Sequence, residues 1–159
     1  MDLNATPPSA DLRIPTLSLR SAGVFVVLSV VTWFAADLLD LVFAVVNSVV
    51  FAIGIALFLL GFWNGVQRSR VDEVTLTGLL ALGSSYVPAG PRNLLWGAVV
   101  IETVVSILFA SLRPFTQQAF GLLFPMLGVG FATLWGSRAA TFHPRDDPRN
   151  PAVNRSGQH

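Results

Sequence analysis

The chain has 159 residues, 53% of them hydrophobic and only 12% charged, with a mean hydropathy of +0.64. A soluble domain is nearer a quarter charged, so this composition excludes a chain built to be surrounded by water. The net charge is +1, all ten basic residues are scattered Arg, and Cys is absent, which excludes a charge-driven nucleic-acid binder, disulfides and thiolate chemistry.

A membrane-spanning helix needs about 20 mostly apolar residues, so the chain holds about four spans with short connections. The start, "MDLNATPPSADLRIPTLSLR", carries three Pro and two Asp and is too long and polar to precede a cleaved apolar core. Residues 1–18 are read as a tail. Leu19–Ala36 is the first span, with its apolar core at Gly23–Ala36, and it ends at the charged turn Asp37–Asp40. Leu41–Asn64 is the second. Residues 71–91 are apolar but rich in Gly, Pro and hydroxyls, and read as an interfacial segment in which Asp72 caps a short helix through Leu82 and Gly83 ends it. Asn93–Leu112 and Gln117–Gly136 are the third and fourth spans, closing a membrane domain over residues 19–137. Residues 138–159 form a Pro-rich tail with too few apolar side chains to fold alone. The Asn-x-Ser/Thr matches at Asn4 and Asn154 fall on these tails and read as chance.

Arginine placement decides the topology, because loops on the cytoplasmic side carry the excess of basic residues. With four spans and an inside N-terminus, every Arg but Arg113 faces the cytoplasm; a fifth crossing over residues 74–91 would divide the ten equally. The expected fold is therefore an all-α bundle of four transmembrane helices in the cytoplasmic membrane, with both termini inside. Trp63, Trp96 and Trp135 fall at the inner ends of their helices and Trp33 near the outer end of the first, where indoles prefer the headgroup level.

The third span, "WGAVVIETVVSILFASLR", is interrupted by Glu102. At 1.5 Å per residue it stands about 15 Å from Arg92, near the midplane of a ~30 Å core. No Arg, Lys or His is expected in the apolar cores of the spans, so Glu102 is expected uncharged and donating a hydrogen bond. Asn47, Ser48 and Thr32 are its expected partners in a polar centre, with the carbonyl near Gly121, freed by Pro125, as another acceptor. Small residues line Glu102's own face at Ala98, Ser106 and Ala110, the second span at Ala44, Ser48, Ala52 and Ala56, and the fourth at Gly128, Ala132 and Gly136. Such stripes let helices approach closely, and Pro125 with the fourth-span stripe is expected at a helix contact.

No catalytic residue, metal or cofactor is expected. His143 follows the last span, His159 ends the chain, and Asp37 and Asp40 read as a solvated turn. Gly128-Val-Gly130 lies inside a span and is no nucleotide loop. Two function classes remain. A small homo-oligomeric proton-coupled transporter would work through Glu102, a plan that resembles the small multidrug-resistance exporters, although their glutamate is on the first span and their chain is shorter. An accessory subunit of a larger transport complex would need no chemistry of its own. The Lys-free, Arg-based composition and the "GFWNGVQRSR" loop at Gly61–Arg70 resemble small four-span membrane proteins of actinobacteria, mycobacteria especially. In plan the chain is similar to the lipid-uptake coordinator subunits of Mce lipid-import machines. That resemblance implies permease and ATPase partners, membrane lipids, and a fatty-acid or sterol cargo; it implies no site residue.

Overall fold

A computed structural model describes residues 12–70, 72–83, 87–113, 115–140 and 142. The chain runs through α1 (Arg13–Phe34), α2 (Ala36–Arg68), the single turn α3 (Leu76–Leu79), α4 (Ala89–Leu112), a 3₁₀ segment (Gln117–Leu123) and α5 (Pro125–Ala139). The architecture is all-helical, with four stretches long and apolar enough to cross a membrane, the 3₁₀ segment and α5 together making the fourth. The bundle has a turn end, where α1 meets α2 and α4 meets the 3₁₀ segment, and an open end, which carries α3.

Several boundaries differ from the sequence reading. α2 runs on to Arg68 rather than ending at Asn64, so most of the Gly61–Arg70 loop is helix. α4 starts at Ala89 rather than Asn93, and the fourth span reaches Ala139 rather than Gly136. α1 starts at Arg13 rather than Leu19, because Pro15 sits in its first turn, where a missing N–H costs no helical bond. Residues 13–18 are thus helix rather than tail, and Arg20 stands on α1 with its side chain exposed. Asp37–Asp40 is no separate turn either. Ala35 alone breaks the helix, at φ −122° and ψ 38°, and these residues lie in the first turns of α2. The tails at 1–11 and 143–159, with Asn4, His143, Asn154 and His159, lie outside the described residues.

The fourth span, the 3₁₀ segment with α5, is the central one: more than half of it is buried, against about a quarter of each of the other three. It packs most extensively on α2, backbone against backbone. A Cβ added at Gly54 would lie 2.7 Å from the Met126–Leu127 backbone, and one at Gly61 2.7 Å from the Thr133–Leu134 backbone. From the other side, a Cβ on Gly130 would meet the Gly54 carbonyl at 2.5 Å. Only glycine permits that approach. The expected α2 stripe is therefore one register off: Ala44 is buried, but Ser48, Ala52 and Ala56 are exposed. Steps of four rotate a helix by about 400°, so a four-step stripe drifts by about 40° each time. Alternating steps of three and four hold one face, and that face is Phe43, Asn47, Val50, Gly54, Leu57 and Gly61.

At the open end, residues 75–83 fold into the bundle rather than lying along its surface. The Thr75 hydroxyl caps α3 by accepting from the Gly78 N–H at 3.2 Å, while Asp72, the expected cap, pairs with Arg68 at 2.9 Å. α3 stops at Leu79, short of Leu82. The Leu79 carbonyl presses on Gly136, which any side chain would block. The Trp96 indole donates to the Leu80 carbonyl at 3.1 Å, and Arg68 donates to the Ser137 carbonyl at 3.3 Å. Ala81, Val87, Leu95, Ala132, Trp135, Ala139 and Ala140 form the core there. Trp135, expected at the headgroup level, is buried in that core, whereas Trp63 is exposed. At the turn end the Arg113 guanidinium covers the Trp33 ring at 4.3 Å, and Trp33 meets Phe109 edge-on at 5.6 Å.

The α2–α5 contact predicts a sharp positional contrast. Gly61→Val should lower stability in detergent by about 1–3 kcal/mol through overpacking. Gly97→Ala, where an added Cβ meets nothing within 4 Å, should not lower it. Equilibrium unfolding followed by circular dichroism compares the two.

Candidate functional site

Glu102 is on α4, about 20 Å from the start of that helix and about 15 Å from its end at 1.5 Å per residue. Its side chain is wholly buried at 0% exposure. α1 and α5 pack beside it. The Ser21 hydroxyl of α1 lies 3.3 Å from Oε1, while its shorter hydrogen bond goes to the Ser18 carbonyl at 2.7 Å. Oε2 has no hydrogen-bond partner in the protein and lies against Gly128 of α5, where an added Cβ would come within 2.7 Å of it. Gly128 is thus small because a carboxyl occupies the space a side chain would need.

Pro125 acts as expected on the backbone, but a different residue responds. Without an N–H at Pro125, the Gly121 carbonyl loses its helical donor, and the chain tightens into the 3₁₀ segment. That carbonyl accepts from the Phe124 N–H at 3.0 Å and from the Ser106 hydroxyl at 2.8 Å, not from Glu102. The Ser106 hydroxyl also lies 2.6 Å from the Glu102 backbone carbonyl, so its single proton is shared between a carbonyl of α4 and one at the start of the fourth span.

The expected polar centre is not assembled as a unit. Asn47 is buried at a depth similar to that of Glu102, but α5 and the 3₁₀ segment stand between α2 and α4. Its Nδ2 donates to the Phe43 carbonyl of its own helix at 2.8 Å, and its Oδ1 has no protein partner. Ser48 is exposed and turns back to the Ala44 carbonyl at 2.9 Å. Thr32 lies near the end of α1, where its hydroxyl donates to the Leu28 carbonyl at 2.8 Å and its own carbonyl accepts from Gln118 Nε2 at 3.2 Å. The expected packing residues Ala98, Ser106, Gly128, Ala132 and Gly136 are all buried, and Pro125 is half-buried.

Residues that the sequence reading passed over complete the site. The buried face of α1 is Pro15, Ser18, Ala22, Phe25, Ser29 and Thr32, in alternating steps of three and four. It packs chiefly on α4. Ser18 and Ser29 are nearly inaccessible, and their hydroxyls have no protein partner. Gln118 is 1% exposed and joins the 3₁₀ segment to α1. The alternating spacing was the available signal, since it gathers every hydroxyl of the α1 core onto one side.

Among the described residues no three of His, Cys, Asp and Glu gather as a metal site would require. The fold and site define an all-helical multi-pass membrane protein whose polar side chains line an inner seam. No protein-family model, curated protein or solved structure matches the chain.

The Glu102–Gly128 contact is testable by a double-mutant cycle. Gly128→Ala should lower stability by about 1–3 kcal/mol through overpacking. Glu102→Ala in the same chain should recover part of that loss, with Val99 still crowding the new methyl. Strictly additive effects would place the carboxyl elsewhere.

Proposed function

We propose that the chain is a non-catalytic accessory subunit packed beside a larger membrane transport assembly. One observation carries the reading. The buried polar side chains are turned onto the chain's own interior, while α2 keeps an exposed apolar surface longer than a membrane needs. From Leu41 to Val66 that helix exposes large apolar side chains over about 38 Å, against a hydrocarbon core of ~30 Å. Tilting or local bilayer thickening accommodates such an excess; the accessory reading places a neighbouring protein over it. At the overshooting end an apolar groove opens between Phe62, Gly65 and Val66 of α2 and Val74, Leu76 and Leu79.

The partner type follows from the resemblance in plan to the lipid-uptake coordinators: a permease and ATPase machine importing fatty acids or sterols. Arg13, Arg68, Arg70, Arg92 and Arg138 all belong to the open half of the bundle and Arg113 to the turn end, which supports a cytoplasmic open end with both termini inside the cell membrane. A second reading, a homo-oligomeric proton-coupled transporter working through Glu102, draws on the fully buried Oε2 that no protein group satisfies.

The test is extraction from native membranes in mild detergent, followed by native mass and identification of what co-purifies. An assembly with an ATPase and permeases, lost when Trp63 and Val66 are changed to Ser, is the expected result. A pure homo-oligomer contradicts the accessory reading.

A further inference from the structure

The seam between α1 and α4 carries more polar groups than packing requires. Counted at 1.5 Å per residue from the turn end, Thr32 stands at about 3 Å, Ser29 at about 8 Å and Ser106 at about 9 Å, with Glu102 at about 15 Å, Ser21 at about 20 Å and Ser18 at about 24 Å. Along the bundle axis, successive members of this series are thus at most about 6 Å apart. All six residues belong to one interface, and five of them are almost wholly buried.

Three of these residues present atoms with no partner in the protein: Ser18 Oγ, Glu102 Oε2 and Ser29 Oγ. They stand toward one end, at the middle and toward the other end. A buried hydroxyl or carboxyl without a partner is costly, and an ionisable side chain inside a membrane is a candidate for function. Ala22 of α1 and Ala98 of α4 are 0–1% exposed, which leaves no room for a bulky cargo. A proton needs only groups that both donate and accept, which serine, threonine and a carboxyl supply.

We infer that the buried seam between α1 and α4 is a proton path through the bundle, with Glu102 as the carboxyl that takes up and releases the proton. A proton entering beside Ser18 passes by hydroxyl and water exchange to the Glu102 carboxylate, where a new O–H bond forms. That bond breaks as the proton leaves toward Ser106 and Ser29. Each hydroxyl that gives up a proton receives another, and no electron moves. The charged groups on the surrounding elements are Arg13 and Arg20 on α1, Arg92 on α4, Arg113 after it and Arg138 on α5. Arg20 is nearest along the axis and its side chain is exposed; the 3₁₀ segment contributes neutral Gln118. The inference takes from the second reading above only that Glu102 exchanges protons. It needs neither a cargo nor a homo-oligomer.

The experiment uses the purified full chain in phosphatidylcholine vesicles that enclose a pH dye, with a potassium gradient and valinomycin as the driving force. The wild type should move protons faster than empty vesicles, Glu102→Gln should lose that flux entirely, and Ser29→Ala should retain only part of it. Val104→Ala on the lipid-facing side of α4 should match the wild type. Circular dichroism and gel filtration of each variant separate lost flux from lost fold. A wild type no faster than empty vesicles, or a Glu102→Gln variant with undiminished flux, overturns the path. Labelling with a hydrophobic carbodiimide, read by mass spectrometry, distinguishes the two levels of failure. An adduct on Glu102 without flux removes the path and leaves proton exchange standing; no adduct and no flux removes both.

Discussion

Hydrocarbon offers no hydrogen bonds, and that constraint organises this bundle. Each polar side chain in a span must find a partner in its own helix, reach a neighbouring helix, or be closed off from lipid. Thr16, Ser48, Thr103 and Thr133 take the first course, bonding to carbonyls one turn back in their own helices. Ser106, Gln118 and Ser21 take the second and stitch helices together across the interior. Glu102 is the most demanding group, and the structure meets it by enclosure: α1 supplies a hydroxyl, α5 supplies a glycine, and no part of the carboxyl reaches the surface.

Enclosure at the middle requires close approach everywhere else. α5 reaches the centre because Gly54, Gly61 and Gly130 remove the side chains that would hold it off α2. The same device recurs at the open end, where Gly136 receives the Leu79 carbonyl. Residues 75–83 are thereby locked over the end of the bundle by Trp96 and by the Arg68–Asp72 pair. α1 and α2, joined only through Ala35, pack far less against each other than α1 does on α4 or α2 on α5. The bundle is thus two helix pairs held together through α5.

The number and rough extent of the four spans were legible in the sequence, since apolar length alone identifies them. Glu102 as the interior polar residue was legible for the same reason. Its partners were not. Thr32 was expected beside Glu102, but α1 begins a turn and a half earlier than its apolar run, with Pro15 tolerated in the first turn, and Thr32 falls near the helix end. Asn47 has the right depth and the wrong side, which a linear sequence does not encode. The glycine face of α2 was masked by a regular Ala and Ser pattern of similar period. Trp135 was read as an interface anchor because indoles favour that level, whereas here the folded-in segment covers it.

The central claim is that Glu102 faces its own chain's Gly128 within the bundle. Magic-angle-spinning NMR on the protein in bilayers tests this directly, because Glu73 and Glu102 are the only two glutamates and their carboxyl signals separate easily. With carbon-labelled Glu and nitrogen-labelled Gly in the same molecule, the interior carboxyl should show dipolar transfer to Gly128, and Gly128→Ala should abolish it. The transfer should vanish when the two labels are placed on different molecules and mixed. A contact that survives mixing, or an interior carboxyl coupled only to lipid, would contradict the account.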